Sequence, residues 1–153
     1  MAPSAARRVL AIAALVVAVG AVAAVAACSG DSPSQPGSTS PVGSWAVATV
    51  NAKAPPVAIF ADTNFTEELV SGILALTGDG KYTTIMTTRW TVPNNVSTYV
   101  DTTGGRWVLS GTTIQFTNAQ DSSQDQATWT NGHITFVEVD GKTTNTYVYA
   151  RQP

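Results

Sequence analysis

The segment PVGSWAVATV, Pro41–Val50, is the first strand-like run of the chain, and the fold prediction starts from it. Valine, threonine and tryptophan fit the pleated, half-buried surface of a β-sheet, and the run contains all three. Gly43 and Trp45 stand two residues apart near its start. The preceding SGDSPSQPGSTS has no apolar face to bury, so we expect the ordered domain to begin at this strand.

Residues 1–27 have the pattern of a secretory signal. Arg7 and Arg8 are followed by nineteen uncharged residues, 9–27, made almost entirely of alanine, valine, leucine and isoleucine. The small residues of VAAC, which ends at Cys28, stand where a signal peptide is cut. An uncleaved transmembrane anchor is the alternative, because nineteen apolar residues just suffice to span a bilayer.

Cys28 in this context resembles the lipidated cysteine of a bacterial lipobox. The resemblance implies a lipoprotein signal peptide over 1–27, acyl chains such as palmitate on Cys28, and anchoring to a membrane of the cell envelope. In a Gram-negative host it implies the outer membrane, because Ser29 follows the cysteine. Each buried methylene contributes about 0.8 kcal/mol, so several acyl chains make a stable anchor. No other cysteine is present, and a disulfide-free core must rely on packing.

The remaining chain divides into a tether and one domain. Residues 28–41 are rich in serine, proline and glycine and are typical of a flexible spacer. Residues 42–151 are enough for one small core. Without Arg7 and Arg8 the chain has six basic and ten acidic residues, a net charge of about −4. No basic patch is present, which argues against a nucleic-acid partner.

Turn signals divide the domain into short strands. Gly-Asp-Gly at 78–80, Ser-Gly at 110, Asn-Gly at 131 and Asp-Gly at 140 are typical of hairpins. Between them lie eight predicted strands, SWAVATV, GILAL, KYTTIMTTRW, RWVLS, TTIQFTN, DQATWTN, HITFVEVD and TTNTYVYA, with STYVDT as a ninth or as the extension of a neighbour. NFTEELVSGIL is the best candidate for a helical turn, at Glu67 and Glu68. The apolar segment 54–65 is predicted to form a lid or a docking loop.

Consecutive hairpins predict an antiparallel up-and-down meander. Several strands alternate, with Ile134 and Phe136 on one face and Tyr147 and Tyr149 on one face. Eight such strands leave two exposed edges unless the first pairs with the last, and closure gives a barrel that side chains fill or one small ligand occupies. A two-sheet β-sandwich is the alternative.

The Gly-x-Trp at Gly43 and Trp45 is similar to the first-strand signature of lipocalins. In that family the tryptophan plugs the closed end of the barrel, and a basic residue from the last strand packs across its indole. Arg151 in YVYARQP occupies that place. GILALTGDGKYTT and GGRWVLSGTTIQF extend the similarity to small bacterial lipocalin-like domains over nearly the whole domain. The resemblance implies a calycin-type barrel, although the Thr-Asp-Tyr turn of classical lipocalins is absent.

No catalytic constellation is recognisable. His133 is the only histidine, at the start of a strand, where we expect it to be solvated. Gly-x-Ser-x-Gly, His-Glu-x-x-His and phosphate-binding glycine motifs are absent from the sequence. The carboxylates are scattered, and Glu138 is the one that stands on an otherwise apolar strand. We therefore expect no enzyme activity, no cofactor and no metal site.

Aromatic and apolar strand residues form the candidate ligand pocket. They are Tyr82, Met86, Trp90, Trp107, Phe116, Trp129, Phe136 and Tyr147. Such residues either fill the core or line a mouth that stacks a small apolar ligand. Two functions follow: an envelope lipoprotein that binds a small hydrophobic ligand, or one with a filled barrel that binds another envelope protein, for example as an inhibitor.

Overall fold

A computed structural model describes residues 40–130 and 132–153. The predicted signal segment, Cys28 and nearly all of the tether lie outside the described residues. Within the described part the chain is all-β, as predicted. Its strands are β1 Gly43–Val50, β2 Val57–Ala61, β3 Thr66–Leu76, β4 Lys81–Val92, β5 Asn95–Ser110, β6 Thr113–Asn118, β7 Gln124–Thr130, β8 His133–Asp140 and β9 Thr143–Arg151.

The strands form one antiparallel sheet that closes on itself. From β3 to β9 each strand pairs with the next, and β1 pairs with both β9 and β3. Trp45 on β1 lies opposite Arg151 on one side and Leu74 on the other. Eight strands therefore complete a barrel, with β2 as one extra strand, and the predicted barrel rather than the sandwich is confirmed.

The segment between β1 and β4 differs from its prediction. Glu67 and Glu68 do not form a helical turn, because they lie in the first half of β3 and point to opposite faces. The predicted lid or loop over 54–65 contains β2, which pairs along Thr66–Leu69 beyond the region of β3 that β1 occupies. Backbone pairing with an otherwise open edge of β3 accounts for both differences.

Strand β5 joins two predicted segments, STYVDT and RWVLS, into one strand of 16 residues. Asn95–Arg106 pairs with β4, whereas only Gly105–Ser110 pairs with β6. The half of the β4–β5 hairpin next to its turn, which we call the outer half, therefore extends past the end of β6. Residues on that half lack a neighbouring strand on one side, which exposes them to solvent.

The barrel has two unlike ends. We call the end with the start of β1 and the end of β9 the floor, and the opposite end, with the β1–β2, β2–β3, β4–β5, β6–β7 and β8–β9 connections, the mouth. The buried core contains Trp45, Val50, Leu69, Leu74, Leu76, Tyr82, Ile114, Phe116, Ala127, Ile134, Tyr147 and Tyr149. Within the described part of the chain there is no helix with the length and apolar character that a membrane crossing requires.

Candidate binding site in the barrel interior

The floor is built around Trp45, which is completely buried. Its indole Nε1–H donates to the carbonyl oxygen of Pro41 at 2.8 Å. Arg151 covers the ring, with Cζ 4.7 Å from the ring centroid, and its Nη2 donates to the carbonyl oxygen of Ser40 at 2.7 Å. A guanidinium over an indole contributes about 0.5–2 kcal/mol. The two strand ends are thus joined at the floor.

Gly43 makes this contact sterically feasible. Its φ is +142°, a conformation that side chains rarely adopt. A Cβ atom here would lie 3.1 Å from Nη1 of Arg151. The glycine two residues before Trp45 therefore leaves room for the guanidinium that packs on the indole.

Above the floor, four aromatic rings form a continuous cluster. Tyr82 and Phe116 meet edge to face at 5.0 Å between centroids, and Phe116 lies 5.2 Å from Phe136. Phe136 in turn lies 5.6 Å from Tyr149. Tilted and edge-to-face rings at these separations add about 0.5–1.5 kcal/mol per pair beyond burial. The cluster joins β4, β6, β8 and β9 across the interior.

The structure brings together seven of the eight candidate pocket residues. Tyr82, Phe116 and Tyr147 are buried, and Met86, Trp107, Trp129 and Phe136 are partly buried against the core. The eighth, Trp90, stands apart and is 39% exposed. It lies on the outer half of the β4–β5 hairpin, near the mouth.

Trp90 belongs to a second aromatic group that we call the rim row, formed by Phe60, Phe65, Trp90 and Tyr99. Successive ring centroids are 5.9, 5.5 and 4.5 Å apart. Phe60 and Tyr99 are 38% and 47% exposed. Glu67 lies opposite both Phe60 and Trp90 in the sheet, so the row follows the inner face at the mouth.

Polar groups occupy the interior between the aromatic cluster and the mouth. The Tyr147 hydroxyl donates to Oε2 of Glu138 at 3.0 Å, and the Tyr149 hydroxyl lies 3.7 Å from Sδ of Met86. Burial, followed by the charge of Glu138, raises the pKa of Tyr149 to about 12. The same two causes, in that order, raise the pKa of Tyr147. Both hydroxyls therefore keep their protons at neutral pH and remain hydrogen-bond donors.

Two asparagine side chains close the wall between β2 and β9. The Asn145 amide donates to the carbonyl oxygen of Ile59 on β2 and accepts from Asn51 Nδ2, both at 2.9 Å. Asn51 also accepts from the backbone N–H of Thr146 at 2.9 Å. Side-chain hydrogen bonds here replace the backbone ladder that joins the other strands, and they satisfy the buried amide of Asn145.

Sequence reasoning missed several residues of this interior. Tyr149 was detectable, because it alternates with Tyr147. Glu138 was also detectable, since it continues the inward positions of Ile134 and Phe136 along β8. The roles of Asn51 and Asn145 had no local signal, because residues 94 positions apart in sequence must meet to form that contact.

The described residues hold no group of three or more His, Cys, Asp and Glu side chains placed to bind a metal ion. His133 is exposed and precedes the buried Ile134, so it points to the outer face. The arrangement is thus an apolar interior with hydroxyl and carboxylate groups toward one end. Such a lining suits non-covalent binding of a small molecule.

Fold and interior together define a small closed antiparallel β-barrel with a packed floor and a polar, accessible mouth. Comparison with a solved crystal structure, a mutant of the fluorescent protein UnaG, gives 12% identity and a TM-score of 0.33. That match covers 72% of this chain and 94% of the UnaG chain. No family model and no curated protein matches this sequence.

Proposed function

We propose that the chain is an envelope-anchored lipoprotein whose barrel binds a small hydrophobic ligand. The observation that carries the binding function is the gradient of burial along the inward side of β4 and β8, where the residues near the floor are buried and those near the mouth are exposed. On β8, Ile134 is fully buried, Phe136 is partly buried and Glu138 is exposed. The interior is therefore filled at the floor and accessible to solvent toward the mouth, where a ligand would meet aromatic rings.

Tryptophan fluorescence of the full chain tests this binding function, because Trp107 and Trp129 pack against the core and Trp90 lies on the rim. We expect titration with a 12-carbon amphiphile, below its micelle concentration, to change the emission saturably. Met86 approaches the hydroxyl of Tyr149 in the interior, so Met86→Trp should weaken binding at least about tenfold by filling this space. An exposed outer-face substitution, Val108→Trp, is the matched control. Linear, non-saturating emission changes would contradict the proposal.

The anchoring part of the proposal is supported by the sequence pattern around Cys28, which precedes the described residues. We expect metabolic incorporation of a palmitate analogue in cells that carry a lipoprotein pathway. Cys28→Ser should abolish the label and release the protein from the membrane fraction. Ser34→Ala, a substitution in the predicted tether, is the control and should keep both the label and the membrane association. Label retained by Cys28→Ser would contradict lipidation at this residue.

A protein-binding function is the second candidate, favoured by apolar side chains on the outer face. Val100, Val108, Val137 and Val139 are each at least 60% exposed. Exposed apolar residues that cluster on a surface are typical of interaction sites, whereas scattered ones are ordinary. Under this function an outer-face variant such as Val108→Trp should lose binding to an envelope protein, whereas under the first function it keeps ligand binding and Met86→Trp loses it.

A further inference from the structure

We propose that the barrel mouth selects amphiphiles with a cationic head group and discriminates against carboxylates. This inference rests on the ligand-binding function proposed above and specifies the ligand class. Three observations support it. The charged side chains on the inner face near the mouth are carboxylates, these carboxylates form no ion pair with a described residue, and the half-exposed rings of the rim row lie beside them.

The acidic residues of the inner face form no ion pair with any of the described residues. In the described part of the chain the ion pairs are Arg89–Glu68 and Lys81–Asp79, both at 2.7 Å. Glu68 faces outward, and its hydrogen bond to Arg89 lowers its pKa. Its neighbour Glu67 faces inward, with no cation within ion-pair distance among the described residues.

Glu67 on β3 and Glu138 on β8 both face the interior, and both act on Tyr147. Glu138 accepts the hydrogen bond of Tyr147, and the charge of Glu67 also contributes to the raised pKa of that tyrosine. Asp101, opposite Met86, and Asp125, opposite Phe116, share the inward face. The mouth therefore presents carboxylates to any group that enters it.

Basic side chains on the strands are distributed in the opposite way. Lys81 and Arg106 face each other on the outer face, and Arg89 is outward beside Glu68. Arg151 is the inward one among the described strands, and it is held on Trp45 at the floor.

Two further lysines stand in the connections at the mouth. Lys53 follows β1 and Lys142 lies in the β8–β9 turn, and both are exposed. Among the described residues neither forms an ion pair with Glu67 or Glu138. A carboxylate ligand that reaches the inner face would thus meet like charges without a basic partner.

The rim row supplies the second half of the recognition. Trp90 and Phe60 lie directly opposite Glu67, and Tyr99 is 4.5 Å from Trp90 between ring centroids. Half-exposed aromatic faces beside a carboxylate attract alkylammonium groups through the ring quadrupole and through charge. The apolar chain of the same ligand would then extend toward Phe136.

Three probes with the same 12-carbon chain test the inference on the full chain: dodecyltrimethylammonium, dodecanoate and 1-dodecanol, each below its micelle concentration. We expect the ammonium compound to bind about tenfold or more tightly than dodecanoate at low salt, with the difference decreasing as salt is raised. Glu67→Gln with Glu138→Gln should reduce this preference to about threefold or less, while dodecanol binding changes little. Glu68→Gln, the outward neighbour, should keep the preference.

The outcomes separate this inference from the function on which it rests. Saturable binding in which dodecanoate equals or exceeds dodecyltrimethylammonium would overturn the cationic preference and leave ligand binding in place. An equal loss of preference in Glu68→Gln would also overturn it, because the effect would then be one of net charge. Failure of all three probes to bind saturably would overturn the binding function and the inference together. Circular dichroism of each variant confirms that the barrel is intact.

Discussion

Trp45→Ala is expected to lower the free energy of unfolding by about 3–5 kcal/mol, the usual cost of removing a large buried aromatic side chain. The indole is completely buried, donates a hydrogen bond to Pro41 and supports the guanidinium of Arg151. Its removal leaves a cavity at the point where β1, β3 and β9 meet. Urea unfolding followed by circular dichroism measures the change.

Trp90→Ala is the matched control, because it deletes the same side chain from the rim row. Trp90 is 39% exposed and loses ring contacts with Phe65 and Tyr99 alone, so we expect a cost of about 1–2 kcal/mol. If Trp45→Ala does not fold, Trp45→Phe, which keeps most of the volume, should fold with a smaller loss. Equal costs for Trp45→Ala and Trp90→Ala would show that the floor is not the main site of closure.

The closed topology was predictable because its signals are local. Hairpin turns fix the order of the strands, and edges left open by eight strands favour pairing of the first with the last. The sequence supports this closure because Gly43 and Trp45 lie in the first strand and Arg151 ends the last one. The structure places them together at the floor.

The beginning of β3 was not predictable from local pattern. Two adjacent glutamates suggest a helical surface, but in a strand consecutive side chains point to opposite faces, so Glu67 enters the interior while Glu68 pairs with Arg89. Whether such a pair is helical or extended depends on the edge that β2 offers. That edge is a tertiary feature, since β2 occupies the part of β3 that β1 leaves unpaired.

The exposure of Trp90 was also not predictable from local pattern, because it too depends on a tertiary feature. Its strand pattern is that of a core residue, and alternation places it on the inner face. Burial also requires a wall on the neighbouring side, and β6 ends at Asn118, opposite Gly105. The sequence left open whether STYVDT is a separate strand or extends a neighbouring one, so the exposed rim row appears only in the folded barrel.

Gly105→Ala is expected to destabilise the barrel by about 3 kcal/mol, at the upper end of the range for overpacking. A Cβ atom at this position would lie 2.0 Å from the carbonyl oxygen of Thr117 and 3.0 Å from the backbone nitrogen of Ala119. These are backbone atoms of β6 and its following turn, so they cannot rotate away as a side chain would. The two strands must separate, which strains the hydrogen bond from Ala119 N–H to the carbonyl of Gly104.

Gly78→Ala distinguishes this clash from a general effect of replacing glycine. No heavy atom lies within 4 Å of a Cβ added at Gly78, and that residue has no left-handed φ, so its free energy of unfolding should change by less than about 0.5 kcal/mol. Hydrogen exchange shows where the barrel is destabilised. Gly105→Ala should speed amide exchange at Asn118 and Ala119, which lie next to Gly105 where β5 and β6 meet. Exchange at Ile134, on the far wall of the barrel, should change less. Unchanged exchange at Ala119, with stability equal to that of Gly78→Ala, would mean that β5 and β6 do not approach as closely at Gly105 as the barrel requires.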